Sequence, residues 1–209
     1  MTTTLQLTPV EARVIASLAE KSIATPQYYP MTVNAIMLAA NQKSSRDPVM
    51  QLREGDVGAA LLDLQEKGLA ARDDAGSRVP KWRQSFQHHL LLQPPAFAVL
   101  VMLMLRGPQT AAELRSNAVG LGGPGDADGI ARVLADLADR AAPLVTLLPR
   151  APGQKEARYA HLLSGTPELP VAAPAPAARP AGGALAELEE RLRALEARVA
   201  ELEAKSPAP

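Results

Sequence analysis

Apolar side chains recur at helical spacing three times in the first third of the chain, and polar or turn-forming residues separate the three segments. The first segment follows Thr8, an N-cap residue with proline at the next position and Glu11 three residues later. We predict one helix after Thr8, a second after Thr32, and a third from about Glu54 to Lys67 that ends at Gly68. Each of these helices is expected to bury one apolar face.

A β-hairpin is predicted directly after the third helix. Its strands are Leu69 to Asp73 and Arg78 to Phe86, with Gly76 in the turn. The second half of the chain repeats this succession as Pro95 to Arg106, Thr110 to Asn117, Asp126 to Arg140, Leu144 to Leu148 and Arg158 to Leu163. Three helices closed by a hairpin are typical of the winged helix. The pattern predicts a mainly α fold with small β-hairpins (α+β), built from tandem winged-helix domains.

The repeated pattern also sets the predicted domain boundaries. Winged-helix domain 1 spans residues 5–93 and winged-helix domain 2 spans residues 94–164. Residues 165–183 contain five prolines and no aromatic side chain, so they bury too little apolar surface to fold and are predicted as a flexible linker. Residues 184–205 then form a coiled-coil helix.

This last helix carries apolar residues at alternating spacings of three and four, the a/d repeat of a coiled coil. In this register Arg191 of one chain faces Glu196 of the other across a parallel pair. We therefore predict a parallel homodimer. The alternative is an amphipathic helix that folds back on the globular part of its own chain. The residues of the predicted dimer seam are Leu185, Leu188, Leu192, Leu195, Val199 and Leu202.

Several segments together carry a family resemblance. The most specific is Thr25 to Met50, which contains Asn-Gln-Lys at 41–43 and Arg-Asp-Pro-Val-Met at 46–50. On these residues the chain resembles the YceH-like family of bacterial proteins. The other segments that carry the resemblance are Glu11 to Lys21, Glu113 to Asn117 and Pro152 to Leu162. The resemblance implies a pair of winged-helix domains and a variable tail that often ends in a coiled coil, in a family without an established biochemical role. Ala40 stands where related chains often carry Cys, which argues against a role for a thiol there.

Composition narrows the classes of function. The 22 basic and 22 acidic residues cancel, so the chain as a whole has no electrostatic attraction for nucleic acid. The absence of cysteine excludes disulfides and thiolate metal sites. No basic segment followed by an apolar run opens the sequence, and the run Ala96 to Leu105 is about half of the ~20 residues that a membrane helix needs. We expect a cytoplasmic protein with no membrane partner.

No motif for catalysis is recognisable in the sequence. His88, His89 and His161 lack metal-ligand spacing, and neighbouring histidines on an extended segment point to opposite sides. The glycine-rich stretch Gly120 to Gly125 runs into aspartates rather than into the Lys-Ser/Thr of a phosphate-binding loop, and we predict a connector there. We expect a protein that is not an enzyme, with no cofactor, no catalytic residue and no metal site.

Two apolar features have alternative interpretations. Trp82 could stack on a nucleic-acid base, but a core anchor for the first wing is the favoured interpretation. The apolar run Phe97 to Leu105 exceeds what one small domain covers, so part of that helix is expected to face the first domain or a second subunit.

The winged helix makes DNA binding the first hypothesis for function, normally through the third helix. Here the third helices are acidic, with Asp63 and Glu66 in domain 1 and Asp136 and Asp139 in domain 2, and are poor recognition helices. The alternative is a protein-interaction adaptor that does not bind DNA. Basic residues gather in the loop before the third helix and in the wings, and the candidate nucleic-acid-binding residues are Lys43, Arg46, Arg72, Arg78, Lys81, Arg83, Arg150, Lys155 and Arg158. The alternative for the hairpin residues is that they are solvated charges balanced by Asp73, Asp74 and Glu156.

The predicted coiled coil can be tested by the mass of the protein in solution. The full chain is expected to sediment as a dimer, and a chain that ends before Gly182 as a monomer, because the truncation removes the a/d repeat. Analytical ultracentrifugation of both chains checks this. Equal monomeric masses would reject the coiled-coil dimer.

Overall fold

The computed structural model of the protein describes residues 5–73, 79–150, 154–165 and 191–198. The chain divides into two units, Met1–Leu169 and Pro170–Pro209. The first unit is a mixed α+β structure in which helices pack around one core and two small antiparallel sheets lie at its edges.

The three predicted helices of the first half are present, and their own capping residues explain where they begin. Helix α1 (Pro9–Ala24) starts with a capping box. The Thr8 hydroxyl accepts a hydrogen bond from the Glu11 backbone N–H, and the Glu11 carboxylate accepts one from the Thr8 backbone N–H. Thr32 caps α2 (Val33–Ala40) through its hydroxyl, which accepts from the Ala35 backbone N–H. Helix α3 (Glu54–Glu66) is followed by Gly68, whose φ of 72° suits a residue without a Cβ.

The first sheet has one strand more than the sequence predicted. Strands β2 (Ala70–Asp73) and β3 (Lys81–Gln84) form the predicted antiparallel pair, and β1 (Met31–Thr32) adds to the other edge of β3. A strand of two residues is too short to show periodicity, so no hydrophobic pattern indicates it. The predicted turn at Gly76, together with Arg78, lies outside the described residues.

The predicted strand Arg78 to Phe86 is too long at both ends, because β3 begins at Lys81 and ends at Gln84. Phe86 instead begins the short helix α4 (Phe86–His89), where the Gln84 side chain accepts from the Gln87 backbone N–H. The helical turn directs the Phe86 ring into the core, where its centroid lies 6.0 Å from the centroid of the Phe97 ring. Burial of this ring is the physical reason that a helical turn replaces the end of the predicted strand.

The second half repeats the order of three helices and two strands. Helix α6 begins with a second capping box, between Thr110 and Glu113. The two strands pair antiparallel. These elements are α5 (Pro94–Arg106), α6 (Ala111–Ala118), α7 (Ala127–Ala138), β4 (Val145–Leu148) and β5 (Arg158–His161).

Helix α5 lies at the centre of the first unit. Every residue from Phe97 to Leu105 is buried, and the helix packs against α1 of the first half as well as α6 and α7 of its own half. The expectation that part of this helix faces the first half is therefore confirmed. The boundary predicted between residues 93 and 94 falls just before α5, and it stays a prediction.

The loop between α2 and α3 is held by long-range polar contacts. Asn41 makes a reciprocal pair with the backbone of Leu52, its side chain donating to the carbonyl and accepting from the N–H, each at 2.8 Å. The backbone N–H of Asp47 donates to the Leu105 carbonyl of α5 at 2.8 Å. Arg106 donates to the Ser45 hydroxyl at 2.7 Å. The loop therefore joins α2 to the C-terminal end of α5.

Arg46 is the buried anchor of this loop. Its guanidinium donates to both carboxylate oxygens of Glu20, at 3.3 and 2.6 Å, and to the carbonyls of Ala39 and Ser45. Its side chain is 0% exposed. This burial argues against the prediction that Arg46 binds nucleic acid, because its guanidinium is already bound to a carboxylate inside the fold.

No helix among the described residues is both long enough and apolar enough to cross a membrane. In the second unit, residues 191–198 are helical, and both Leu192 and Leu195 are exposed there. The other residues of the predicted seam, Leu185, Leu188, Val199 and Leu202, and almost all of the predicted linker lie outside the described residues.

Replacing Arg46 by Met is expected to destabilise the fold by about 3 kcal/mol, because Glu20 then stays buried with only Lys21 beside it. Urea unfolding at pH 7 measures the change. Arg53→Met is the matched control, since the Arg53 to Asp56 pair is exposed and its removal should change stability little. Equal effects of the two substitutions would contradict the structural role of Arg46.

The same ion pair predicts how stability depends on pH. Burial raises the pKa of Glu20, but the hydrogen bonds and charge of Arg46 and the charge of Lys21 outweigh it, so the pKa lies below its ordinary value of 4.5. A lowered pKa in the folded state stabilises the protein above pH 4.5, and this contribution is lost as the pH falls through the folded value. The difference in unfolding free energy between wild type and Arg46→Met should narrow as the pH falls below 4.5.

Candidate nucleic-acid interface

The register of the first sheet separates its core face from an open face. Residues directly opposite each other in an antiparallel ladder place their side chains on the same face. Trp82 lies opposite Met31 and Arg72, and both Trp82 and Met31 are buried. The interpretation of Trp82 as a core residue is therefore confirmed.

The open face of the sheet carries Lys81 and Arg83. Lys81 lies opposite Thr32 on one side and Asp73 on the other, and Arg83 lies opposite Ala71. Arg72, opposite Trp82, belongs to the other face. The first sheet therefore divides Arg72, Lys81 and Arg83 between two faces, and Lys81 and Arg83 share one of them.

Arg83 is fixed in position by two neighbours. Its Nε donates to the Asp73 carboxylate, and its guanidinium carbon lies 5.9 Å from the centre of the Tyr29 ring. The Tyr29 hydroxyl in turn accepts from the backbone N–H of Gln84. The Arg83 side chain remains 52% exposed. We call Tyr29, Thr32, Asp73, Lys81 and Arg83 the wing face.

In the hairpin of β4 and β5, one of the candidate basic residues is already bound to a carboxylate. Arg158 donates to both carboxylate oxygens of Glu113, at 2.8 and 3.0 Å, and to the carbonyl of Pro108. This bidentate pair links β5 to the start of α6. Arg150 and Lys155 are exposed. Arg158 therefore serves first to hold the second half together.

The remaining candidate lies in the loop before α3. Lys43 is exposed, whereas Arg46, three residues later, is buried. The structure therefore brings Lys81 and Arg83 together and places Lys43, Arg150 and Lys155 at other exposed positions. Arg46, Arg83 and Arg158 each bind a carboxylate of the same chain, and Arg83 is the most exposed of the three, at 52%.

The third helices of the two halves are acidic on their exposed surface. Glu54, Asp63 and Glu66 of α3 are exposed, and Lys67 at its end is bound to Glu11. The exposed acids of α7 are Asp128, Asp136 and Asp139. A phosphate backbone lying along either helix would meet these carboxylates.

The other sequence candidates for chemistry are accounted for by the fold. His88 and His89 lie in helix α4 rather than on an extended segment, and both are exposed. The stretch Gly120 to Gly125 turns the chain into α7, where the Asp126 carboxylate accepts from the Gly129 backbone N–H at 2.7 Å. Within the described ranges, no three side chains of His, Cys, Asp or Glu come close enough to hold a metal ion.

One feature of the site was missed in the sequence, because strand β1 brings Thr32 beside Lys81. The contact between Asp73 and Arg83 agrees with the alternative in which Asp73 balances a basic residue of the hairpin. The acidic partners of Arg46 and Arg158 were missed as well, because they lie 26 and 45 residues away in the sequence. The alternation along β3 did identify Lys81 and Arg83 as residues of one face.

Comparison with known proteins identifies the family. Residues 7–154 match the family described as "Protein of unknown function, DUF480". A UPF0502 protein of Geotalea uraniireducens is 45% identical over 200 residues, covering 96% of this chain and 91% of the relative. A UPF0502 protein of Geobacter sulfurreducens is 46% identical over 198 residues, covering 94% of this chain and 90% of the relative. The chain therefore belongs to the DUF480 family of bacterial proteins of unknown function.

Proposed function

We propose that the protein is a non-enzymatic, dimeric tandem winged-helix protein that binds the backbone of duplex DNA through its wing face. The order of three helices and a hairpin in each half supports the winged-helix assignment. The a/d repeat of the tail supports the dimer.

The observation that carries the proposal is the fixed, exposed guanidinium of Arg83. Asp73 and Tyr29 restrict its rotamers, so binding a phosphate would cost less side-chain entropy than binding through a free surface arginine. Lys81 lies on the same face, two residues away. The two cations outnumber the one carboxylate of the wing face, which keeps the face attractive to phosphate.

The acidic third helices restrict the mode of binding. With α3 and α7 repelling phosphate, the recognition helix would not enter the major groove in the usual way. A wing that contacts phosphates reads little sequence, so we expect weak preference among DNA sequences. In the dimer two wing faces bind one duplex. Once one face is bound, the other is held close to the DNA at a high effective concentration, so the dimer binds more tightly than a single face.

A protein-interaction adaptor is the second candidate. Exposed leucines favour it, since Leu38 of α2 and Leu62 of α3 are 61% and 57% exposed. Apolar groups on the surface together with acidic third helices suit a basic, partly apolar protein partner.

Removing the wing-face charges is expected to weaken DNA binding and its dependence on salt. In Lys81→Gln with Arg83→Gln, the slope of log affinity against log salt should decrease by about 1 for each phosphate that is no longer neutralised, or about 2 per chain. Fluorescence anisotropy with a mixed-sequence duplex across a salt series measures both quantities. Neutral glutamine avoids placing a new carboxylate beside Asp73.

The control has the same change in charge elsewhere on the surface. Arg115→Gln with Arg132→Gln removes two exposed cations of α6 and α7 and should leave the slope unchanged. Absence of DNA binding by the wild type at low salt would reject the DNA proposal in favour of the adaptor. If both double substitutions reduce the slope of log affinity against log salt by the same amount, the wing face is rejected as the contact surface.

A further inference from the structure

A small cavity lies where the two halves of the first unit meet. Its volume is about 200 Å³, and it is bounded by the start of α1, the loop before α3, the end of α5 and the chain around β5. Most of its wall is apolar, including Pro9, Met50, Met104 and Pro108. The polar side chains on the wall include Arg13, Asp47 and His161. Such a concave apolar site with few polar groups is typical of small-molecule binding.

Arg13 is the group that points to a ligand. The residue is 2% exposed, and its guanidinium donates to the carbonyls of Ala40 at 3.3 Å and Pro48 at 2.8 Å. Those two bonds use two of the five N–H donors of a guanidinium. Its Nε is buried without a hydrogen-bond partner. Buried polar groups of this kind are satisfied in nearly all proteins, so an unsatisfied one needs an explanation.

In the part of the chain that the structure describes, the guanidinium of Arg13 is in contact with no carboxylate. Among the described residues, no carboxylate oxygen lies within 4.0 Å of its guanidinium nitrogens. Burial lowers the pKa of Arg13, and the charge of Arg46 lowers it further, whereas the charge of Asp47 raises it. A buried cation without a counterion is costly, and an anion in the adjoining cavity would offset that cost.

The rest of the wall limits the charge and shape of such an anion. Burial lowers the pKa of His161 to about 4, so its imidazole is neutral at pH 7 and adds no second cation. The Asp47 carboxylate disfavours a ligand with two negative charges. The apolar walls favour a compact hydrocarbon body beside one charged group.

We infer that this cavity binds a small monocarboxylic acid, with its carboxylate on Arg13 and its apolar body against Met50, Met104 and Pro108. The cavity volume of about 200 Å³ lies below the range of about 300 to 1,000 Å³ that is typical of drug-sized ligands, so it suits a small acid. Pentanoate is an acid of this size class. The inference does not depend on DNA binding, because the cavity and the wing face share no residue.

The test compares pentanoate with pentanamide, which has the same size but no charge. Isothermal titration of the full-length wild type at pH 7 and constant ionic strength should show saturable binding of one pentanoate per chain. Pentanamide should bind at least tenfold more weakly, because it lacks the charge-assisted hydrogen bonds to the guanidinium. Equal affinity for the two compounds, or no saturable binding of pentanoate in the millimolar range, would overturn the inference.

A cavity-filling substitution tests the location. Ala160→Leu places a larger side chain into the wall and should abolish pentanoate binding, while Ala131→Leu on the exposed surface of α7 should not. Circular dichroism and thermal unfolding establish that both variants are folded. Unchanged pentanoate affinity in a folded Ala160→Leu protein would place the binding site elsewhere. If that variant does not fold, the pentanoate and pentanamide comparison on the wild type still decides whether a carboxylate is bound.

Discussion

The burial of helix α5 on every side is the constraint on which the rest of the first unit depends. From Phe97 to Leu105 the helix has no polar residue, so no orientation of it could leave one face in water at low cost. Its own half covers part of it through α6 and α7, and α1 of the other half covers the rest. The two halves consequently share one core, and the polar loop between α2 and α3 has to close over their junction.

That closure explains why several basic residues serve structure rather than binding. Arg46 is bound to Glu20, Arg158 to Glu113 and Lys67 to Glu11, and Arg13 supports the carbonyls of Ala40 and Pro48. Each of these contacts joins segments far apart in the sequence. Among the candidates from the sequence, Lys81 and Arg83 are the two that share the open face of one sheet.

Local features could be predicted well from the sequence and long-range partners poorly, for physical reasons. Helices α1, α2 and α6 begin at Thr8, Thr32 and Thr110 because each threonine satisfies backbone N–H groups of its own first turn, and that contact can be read from neighbouring residues. The burial of Arg46 could not be predicted in this way, because its partner Glu20 lies in α1, 26 residues away in the sequence. Strand β1 was missed since its two residues pair only with the distant β3. The cavity beside Arg13 is likewise a product of how the halves meet.

Helix α5 should make the two halves one cooperative unit, and native-state hydrogen exchange tests this claim most directly. Amides that are protected by the same unfolding event share one free energy of opening. Hydrogen exchange measures this free energy for each amide separately, so amides of the two halves can be compared directly. The shared core predicts that the slowest-exchanging amides of α1, α5 and α7 report the same opening free energy and the same dependence on denaturant. Slow amides in α1 that open at distinctly lower free energy than those in α5 and α7 would contradict it, because the halves would then unfold separately.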